Sequence, residues 1–109
     1  MLLTIVDDAA RQEYHRMAMK KGDTTLLWCN TTKSGGVKWT RNTTAGEFRY
    51  VYVNESIQGS LASRFSIVGH SLSIYNTQIR DSGRYVCYES GGARRFAFEL
   101  NVTGMNYGQ

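Results

Sequence analysis

The 109-residue chain contains no proline, two histidines and two cysteines, and it has no long apolar run. The absence of proline excludes proline-rich linkers, and no segment approaches the roughly 20 apolar residues that a membrane-spanning helix needs. The apolar start, residues 1–6, is followed at once by Asp7 and Asp8. This pattern does not fit a secretory signal peptide, which needs a longer apolar core and a small-residue cleavage site. We therefore expect the sequence to be a fragment of a larger protein.

The shortage of histidine and cysteine argues against catalysis. His15 and His70 have no companion at the spacing of metal ligands, and zinc sites and nucleophile triads need several such groups to converge. Gly91-Gly92 lacks the Lys-Ser/Thr ending of a phosphate-binding loop and is more simply explained by a tight turn. The sequence predicts no catalytic residue, no metal site, no cofactor and no enzymatic activity.

A net charge of +4 and a pI near 9.3 are compatible with a polyanionic partner. The basic residues are nevertheless scattered, and Lys20-Lys21 and Arg94-Arg95 are the adjacent pairs. Such pairs are usually part of a solvated surface. We do not expect nucleic acid as a partner, and we keep glycosaminoglycan binding only as a remote alternative.

Apolar residues alternate with polar ones in short runs bounded by Gly, Asn and Ser, which predicts an all-β chain. In a strand, alternate residues share one face. The pattern places Leu27 with Cys29, and Val37 with Trp39, on inward faces. The last strand has an inward row, with residues 97, 99 and 101 outward: Phe96, Phe98, Leu100 and Val102.

The segment Asp81-Ser82-Gly83-Arg84-Tyr85-Val86-Cys87 joins a turn, a tyrosine and a cysteine in one register. Cys29 lies 58 positions before Cys87, and Trp39 lies ten residues after Cys29. This order resembles the immunoglobulin superfamily, and its V-set branch in particular. The resemblance implies a two-sheet Greek-key sandwich with one inter-sheet disulfide between Cys29 and Cys87. It also implies a buried Trp39 and a Tyr85 hydroxyl bonded back to the backbone.

The same resemblance implies that Arg64 pairs with Asp81 in a structural role, although the residues alone also allow a surface ion pair worth at most about 1 kcal/mol. Residues 48–53 and 56–58 resemble the additional C′ and C″ strands of a V-set domain. Because this insertion is short, an intermediate-set domain is the alternative. We expect one domain over residues 1–104 and a short tail over residues 105–109.

Residues 7–16 have the composition of a helix with acidic residues at its start, whereas the family places its strands A and A′ here. We expect strand pairing around residues 3–6 and 16–19, with a helical turn allowed between them. Trp28 should point outward from strand B, since Cys29 points inward. Two interpretations remain, packing beneath strand A, which we prefer, and a second contact surface.

Four of the six asparagines lie in Asn-x-Ser/Thr triplets, where chance would place about one. These triplets are glycosylation acceptors only in secreted chains. We therefore expect the extracellular side of the plasma membrane or secretion, with any membrane attachment through a segment outside this sequence. The acceptors are Asn30, Asn42, Asn54 and Asn101.

Residues 96–102 resemble strand G of the family but lack the Phe/Trp-Gly-x-Gly bulge of antigen-receptor variable domains. The resemblance therefore implies a non-rearranging, immune-type receptor that recognises a protein ligand, on another cell or soluble. The expected contact surface is the G-F-C-C′ face, formed by the strands around residues 96–102, 85–88, 37–40 and 48–53. A homophilic adhesion domain, and hence a homodimer, is the alternative. Aromatic and arginine side chains are enriched at interface hot spots. The register of C′ leaves open whether Arg49 or its tyrosines face outward. The predicted contact residues are Lys38, Thr40, Arg49, Tyr50, Tyr52, Tyr88, Glu89, Arg94 and Arg95.

Overall fold

A computed structural model describes residues 2–7, 12–31, 36–91 and 94–104. Within these ranges the regular structure consists of strands and two short 3₁₀ turns, at Gly59–Ser63 and Ile79–Asp81. The strands are β1 (Leu2–Asp7), β2 (Gln12–Lys20), β3 (Thr25–Leu27), β4 (Val37–Thr43), β5 (Phe48–Val53), β6 (Ser56–Ile57), β7 (Phe65–Val68), β8 (Ser71–Ile74), β9 (Gly83–Glu89) and β10 (Arg95–Thr103).

The strands form two sheets. The larger sheet has the order β1-β2-β10-β9-β4-β5-β6, and the smaller has the order β3-β8-β7. Neighbouring strands are antiparallel except β2 and β10, which run parallel. A disulfide joins Cys29, just after β3, to Cys87 in β9. The predicted all-β sandwich with one inter-sheet disulfide is confirmed.

The core lies between the sheets and is built mainly from the inward rows of β3, β4, β5, β7, β8, β9 and β10. Trp39 is fully buried, and its indole N–H donates a hydrogen bond to the His70 carbonyl at 2.9 Å. This bond satisfies the polar end of a side chain that is otherwise apolar. The inward row of β10 is buried as predicted: Phe96, Phe98, Leu100 and Val102. Ala97, predicted to face outward, is also fully buried.

The turn before β9 requires glycine. Gly83 has a φ of +146°, and a Cβ atom there would lie 2.4 Å from the Asn42 carbonyl oxygen. Real Cβ atoms do not approach backbone so closely, and side chains disfavour this φ. The Asp-x-Gly element of the motif therefore has a local steric cause, because it lets β9 begin directly beside β4.

The middle of the chain supplies two further strands at the positions that the family resemblance implied. β5 pairs with β4, and β6 pairs with β5 through a two-residue turn. Asn54 and Glu55 in this turn have φ angles of 54° and 61°. Two consecutive positive φ values are typical of the tight hairpin turns whose twist matches that of the strands.

The N-terminal segment differs from the prediction. Residues 12–15, given a helical composition, are extended in β2, because β2 pairs along its whole length with β10. Tertiary pairing overrides the weak helical preference. β1 pairs with β2 and not with β3. Residues 8–11, where a helical turn was allowed, and the predicted tail 105–109 lie outside the described residues.

In the described part of the chain, no helix has the length and apolar character needed to cross a membrane.

Candidate functional site

The outer face of the larger sheet carries four of the nine predicted contact residues as accessible side chains: Lys38, Tyr50, Tyr88 and Arg95. It is formed by the outward rows of β4, β5, β9 and β10, and we call it the outer face. Lys38 lies between two tyrosines near one end of this face, with its Nζ atom 5.5 Å from the centroid of the Tyr50 ring and 5.3 Å from that of Tyr88. Both distances are within the range of cation–π attraction. Three predicted residues therefore form one cluster.

Phe48 extends this cluster and was absent from the predicted set. Its ring lies 6.4 Å from that of Tyr50 in an edge-on arrangement, and 63% of its surface is exposed. The sequence contained the signal, since residues 48 and 50 share one face of a strand. Three aromatic side chains and one lysine thus form an amphipathic patch on the outer face.

A β-bulge determines which residues of β5 reach the outer face. The register of β4 and β5 shifts between Trp39 and Thr40, so that Tyr52 lies opposite Trp39 and Tyr50 opposite Thr40. Tyr52 consequently packs against the core, and Tyr50 is 45% exposed. Arg49 lies opposite the buried Arg41, on the inner side. Because a bulge inserts one residue, simple alternation could not place all three residues correctly.

Two predicted contact residues are buried. Thr40 is 4% exposed, although it belongs to the outward row. Glu89 is 6% exposed and continues the inward row of Tyr85 and Cys87. The Thr31 hydroxyl donates to Glu89 Oε2, whereas Oε1 has no partner among the described residues. Thr40 thus faces outward as predicted but is not accessible, whereas the prediction that Glu89 faces outward was wrong by the period-two rule itself.

The two predicted arginines before β10 have different surroundings. Arg94 Nη2 donates to Glu13 Oε2 at 2.8 Å, and its guanidinium lies 4.9 Å from the Phe96 ring centroid. Arg95 is exposed and opposite Tyr88, with no ion pair to a described residue. Both line an open cup of about 1210 Å³ at the end of the sheet, together with Lys38, Tyr52 and Tyr88. Of the two arginines, Arg94 is therefore neutralised by Glu13, whereas the charge of Arg95 is not compensated by a described residue.

The Arg64–Asp81 pair is not a surface ion pair, because Asp81 is fully buried and the Arg64 side chain is only 18% exposed. Asp81 is fully buried and accepts two bonds from the Arg64 guanidinium, at 2.8 and 3.0 Å. It also accepts the Gln78 amide at 2.7 Å. Burial alone would raise the pKa of Asp81, but the bonds from Arg64 and Gln78 outweigh it and hold the pKa below its usual value. Asp81 is therefore a charged anchor inside the fold.

Arg41 belongs to the same buried network and was missed by the sequence reading. It is 7% exposed, lies 3.4 Å from both Asp81 Oδ1 and the Tyr85 hydroxyl, and donates to Glu47 Oε1 at 2.8 Å. No motif marks an arginine in the inward row of β4. Its burial follows from the carboxylate that the fold places opposite it.

The Tyr85 hydroxyl donates to the Asp81 carbonyl oxygen at 2.6 Å. Replacing Tyr85 with phenylalanine should lower the free energy of unfolding by about 1 kcal/mol, the typical worth of one such bond. Chemical denaturation at neutral pH measures this loss. Burial raises the pKa of Tyr85 to about 12. The stabilisation from this group is therefore complete below the unfolded pKa of about 10, and it is lost as pH rises toward 12.

An alkaline denaturation series provides the control for this prediction. The wild-type chain should lose more stability between pH 10 and 12 than the Y85F variant does, because phenylalanine does not titrate. Equal losses in the two proteins would contradict the assignment.

All four glycosylation acceptors are exposed, so none is hidden by the fold. Asn42 lies on the outer face, opposite Phe48 on one side and Arg84 on the other. Asn101 lies at the same end of the sheet in β10. A glycan on either residue would cover this end and leave the end with Lys38, Tyr50 and Tyr88 open.

No group of three or more His, Cys, Asp or Glu side chains converges on a metal-binding geometry within the described residues. The polar side chains that do converge, around Asp81, are paired with one another in the interior.

Comparisons with known proteins agree with this architecture. No family model matches the chain. Interference hedgehog from Drosophila yakuba is 33% identical over 45 residues, which is 40% of this chain and 5% of that protein. The match thus spans about a twentieth of the relative.

Solved structures match over most of the chain. One match is the extracellular domain of the voltage-gated sodium channel beta4 subunit, which is described as a parallel homodimer with a role in cell–cell adhesion. Its TM-score is 0.68 at 16% sequence identity, and the match covers 86% of this chain and 88% of that one. A fragment of novel immune-type receptor 10 from Ictalurus punctatus has a TM-score of 0.58 and 20% identity, covering 79% and 94%. Down Syndrome Cell Adhesion Molecule, N-terminal eight Ig domains, has a TM-score of 0.62 and 20% identity, covering 93% and 12%.

Proposed function

We propose that this chain, whose fold is that of an immunoglobulin-type domain, is an extracellular V-type module that binds a protein partner through the outer face. Its residues 1–104 would form the domain, at the cell surface or in secreted form. The observation that supports the proposal most directly is the exposed patch of Lys38, Phe48, Tyr50 and Tyr88. Fold alone does not determine function, and this surface supplies the side chains that recognition needs.

The chemistry of the patch is that of a protein contact. Its aromatic rings supply a large apolar contact area with few rotatable bonds. The charge of Lys38 would help to fix the orientation of the bound partner. Arg95, opposite Tyr88, adds an unpaired positive charge at the edge. The neighbours in the structure comparison are receptor and adhesion domains, which supports a recognition role over catalysis.

Replacing Tyr50 with alanine should weaken partner binding at least about tenfold, because a half-exposed aromatic at the centre of a contact is a typical hot spot. Fluorescent tetramers of the chain would be titrated onto a panel of cells, with bound fluorescence as the measurement. Tyr75→Ala is the matched control, since Tyr75 is 67% exposed and lies outside the outer face. A Tyr50 variant that binds as wild type, or a Tyr75 variant that binds as weakly, would contradict the proposal.

Homophilic adhesion is the second candidate, because the sodium channel beta4 neighbour is a homodimer with an adhesive role. Beads coated with the chain should then aggregate without added cells. The mass of the chain in solution would be compared with those of the Tyr50, Tyr52 and Arg94 alanine variants. Aggregation that Tyr50→Ala abolishes supports a homophilic outer face, and dispersed beads with cell staining support a different protein ligand.

A further inference from the structure

The smaller sheet ends at β3 with a free backbone edge. β3 pairs with β8, and the Cys29 amide donates to Ser71 Oγ at 3.0 Å on that same side. The Asp23 carbonyl accepts the Thr77 amide there as well. Since backbone groups alternate along a strand, those of Leu26 and Trp28 point to the opposite edge. None of them has a hydrogen-bond partner in the described ranges. A free row of this kind is a template for another strand.

The larger sheet reaches past this edge. The disulfide places the end of β3 opposite β9, and from β9 the larger sheet continues through β10, β2 and β1. The inner face of β2 therefore has no strand of the smaller sheet above it. The result is a recess beside β3, with a groove of about 440 Å³. The side chains that define it are Glu13, His15, Met17, Met19, Leu26 and Trp28.

The wall of the recess is apolar and exposed. Trp28 is 67% exposed and Leu26 46% exposed, and Met17 and Met19 on the floor are half-buried. The preferred interpretation of Trp28, packing beneath a strand A, is wrong, because β1 pairs with β2 at the far edge of the other sheet. An exposed tryptophan beside unpaired backbone groups indicates a surface that another chain covers.

β1 supplies the complementary feature. It pairs with β2 over all six residues, and its other edge has no partner strand in the described part of the chain. Four of its six residues are Leu, Ile or Val. Each copy thus has an edge strand, β1, that extends past the smaller sheet, and a recess beside the free edge of β3. The recess is about two strands wide, or roughly 10 Å.

We propose that the chain forms a two-fold dimer in which β1 of each copy lies in the recess of the other and adds to the free edge of β3. The dimer is a closed assembly, because a single two-fold rotation places each β1 in the recess of the other copy and leaves neither recess empty. It joins the larger sheet of each copy to the smaller sheet of its partner. Direct pairing of β3 with the partner's β3 is excluded, since the two copies of β1 would then occupy the same space.

Trp28→Ser should raise the dimer dissociation constant at least about tenfold in sedimentation equilibrium over a wide concentration range. The series uses an Asn30→Gln background, which removes the acceptor that lines the groove. Tyr75→Ser is the matched control, because Tyr75 is also 67% exposed and lies away from the recess. A monomer at every concentration, or equal weakening by Tyr75→Ser, would overturn the proposal. So would a dimer that Tyr50→Ala abolishes and Trp28→Ser leaves intact, since that dimer uses the outer face.

Amide hydrogen exchange tests the backbone pairing itself. The amides of Leu26 and Trp28 should exchange at least about tenfold more slowly at concentrations where the dimer is populated than in the monomer. Unchanged exchange in a dimer that Trp28→Ser weakens would show a side-chain contact without strand addition, and would also overturn the proposal.

Discussion

Replacing Asp81 with asparagine is expected to lower the free energy of unfolding by about 3 to 5 kcal/mol, the usual cost of breaking a buried ion pair from one side. The carboxylate is fully buried and binds Arg64 through both oxygens. Asparagine keeps the size but removes the charge, so that Arg64 and the buried Arg41 lose their shared anion. Urea denaturation at pH 7 measures the loss.

The matched control is Glu99→Gln, which breaks an exposed pair of the same kind. Arg84 Nε donates to Glu99 Oε1 at 2.8 Å, with 50% and 35% of the two side chains exposed. Exposed pairs are worth at most about 1 kcal/mol. Similar losses in the two variants would contradict a special role for the buried network.

The same carboxylate predicts how stability depends on acid. Because the folded pKa of Asp81 is below its usual value, its contribution is fully present above the unfolded pKa of about 3.9. It is lost as pH falls through the folded pKa. The wild-type chain should therefore lose its advantage over the Asp81→Asn variant below about pH 4. A difference that stays constant between pH 7 and pH 2 would contradict this assignment.

Removal of the disulfide by the double substitution Cys29→Ala and Cys87→Ala is expected to cost about 4 kcal/mol. The bridge closes a loop with a sequence separation of 58, and the chain-entropy model assigns a loop of this length about that value. Both sulfur atoms lie in the core, so the alanines also remove packing. For a small domain, a loss of this size is a large fraction of total stability.

Guanidinium denaturation of the double variant, with circular dichroism to confirm residual sheet, measures this cost. The Thr25→Ala substitution is a useful comparison, because it removes a buried side-chain hydrogen bond, 2.8 Å to Thr77, in the same sheet without changing the loop. It should cost about 1 kcal/mol. A double variant as stable as wild type would show that the disulfide does not stabilise the fold by reducing the conformational entropy of the unfolded chain.

Period-two alternation and short motifs were sufficient to predict the inward rows and the disulfide of this fold. The inward row of β10 follows from period-two burial. The pairing of Cys29 with Cys87 was implied by the resemblance of the surrounding motif to the immunoglobulin superfamily, and the structure has it. The same period also predicts Glu89 as an inward residue and places Phe48 on the same face as Tyr50, and both residues follow it in the structure. These two residues were misjudged although the pattern contained the answer.

Other features arise from contacts that no local pattern encodes. The bulge opposite Trp39 sends Tyr52 to the core and leaves Tyr50 outside, because the register of a strand pair is set jointly by both strands. Arg41 is buried because a distant carboxylate compensates its charge. The sequence left open whether the Arg64–Asp81 pair is structural or on the surface. The burial of Asp81 decides for the structural role, and this burial arises only when the two sheets pack.

The sequence by itself indicated an all-β chain through its alternation, and a two-sheet sandwich with one disulfide through the resemblance of its motifs to a known family. Its Asn-x-Ser/Thr triplets marked the glycan acceptors, and the structure showed that they are exposed. The tertiary structure decided which side chains of the outer face are available to a partner. It also decided that β1 joins the larger sheet and leaves the edge of β3 free. The physical reason is that strand neighbours are chosen by long-range pairing and burial, which a segment's own composition does not specify.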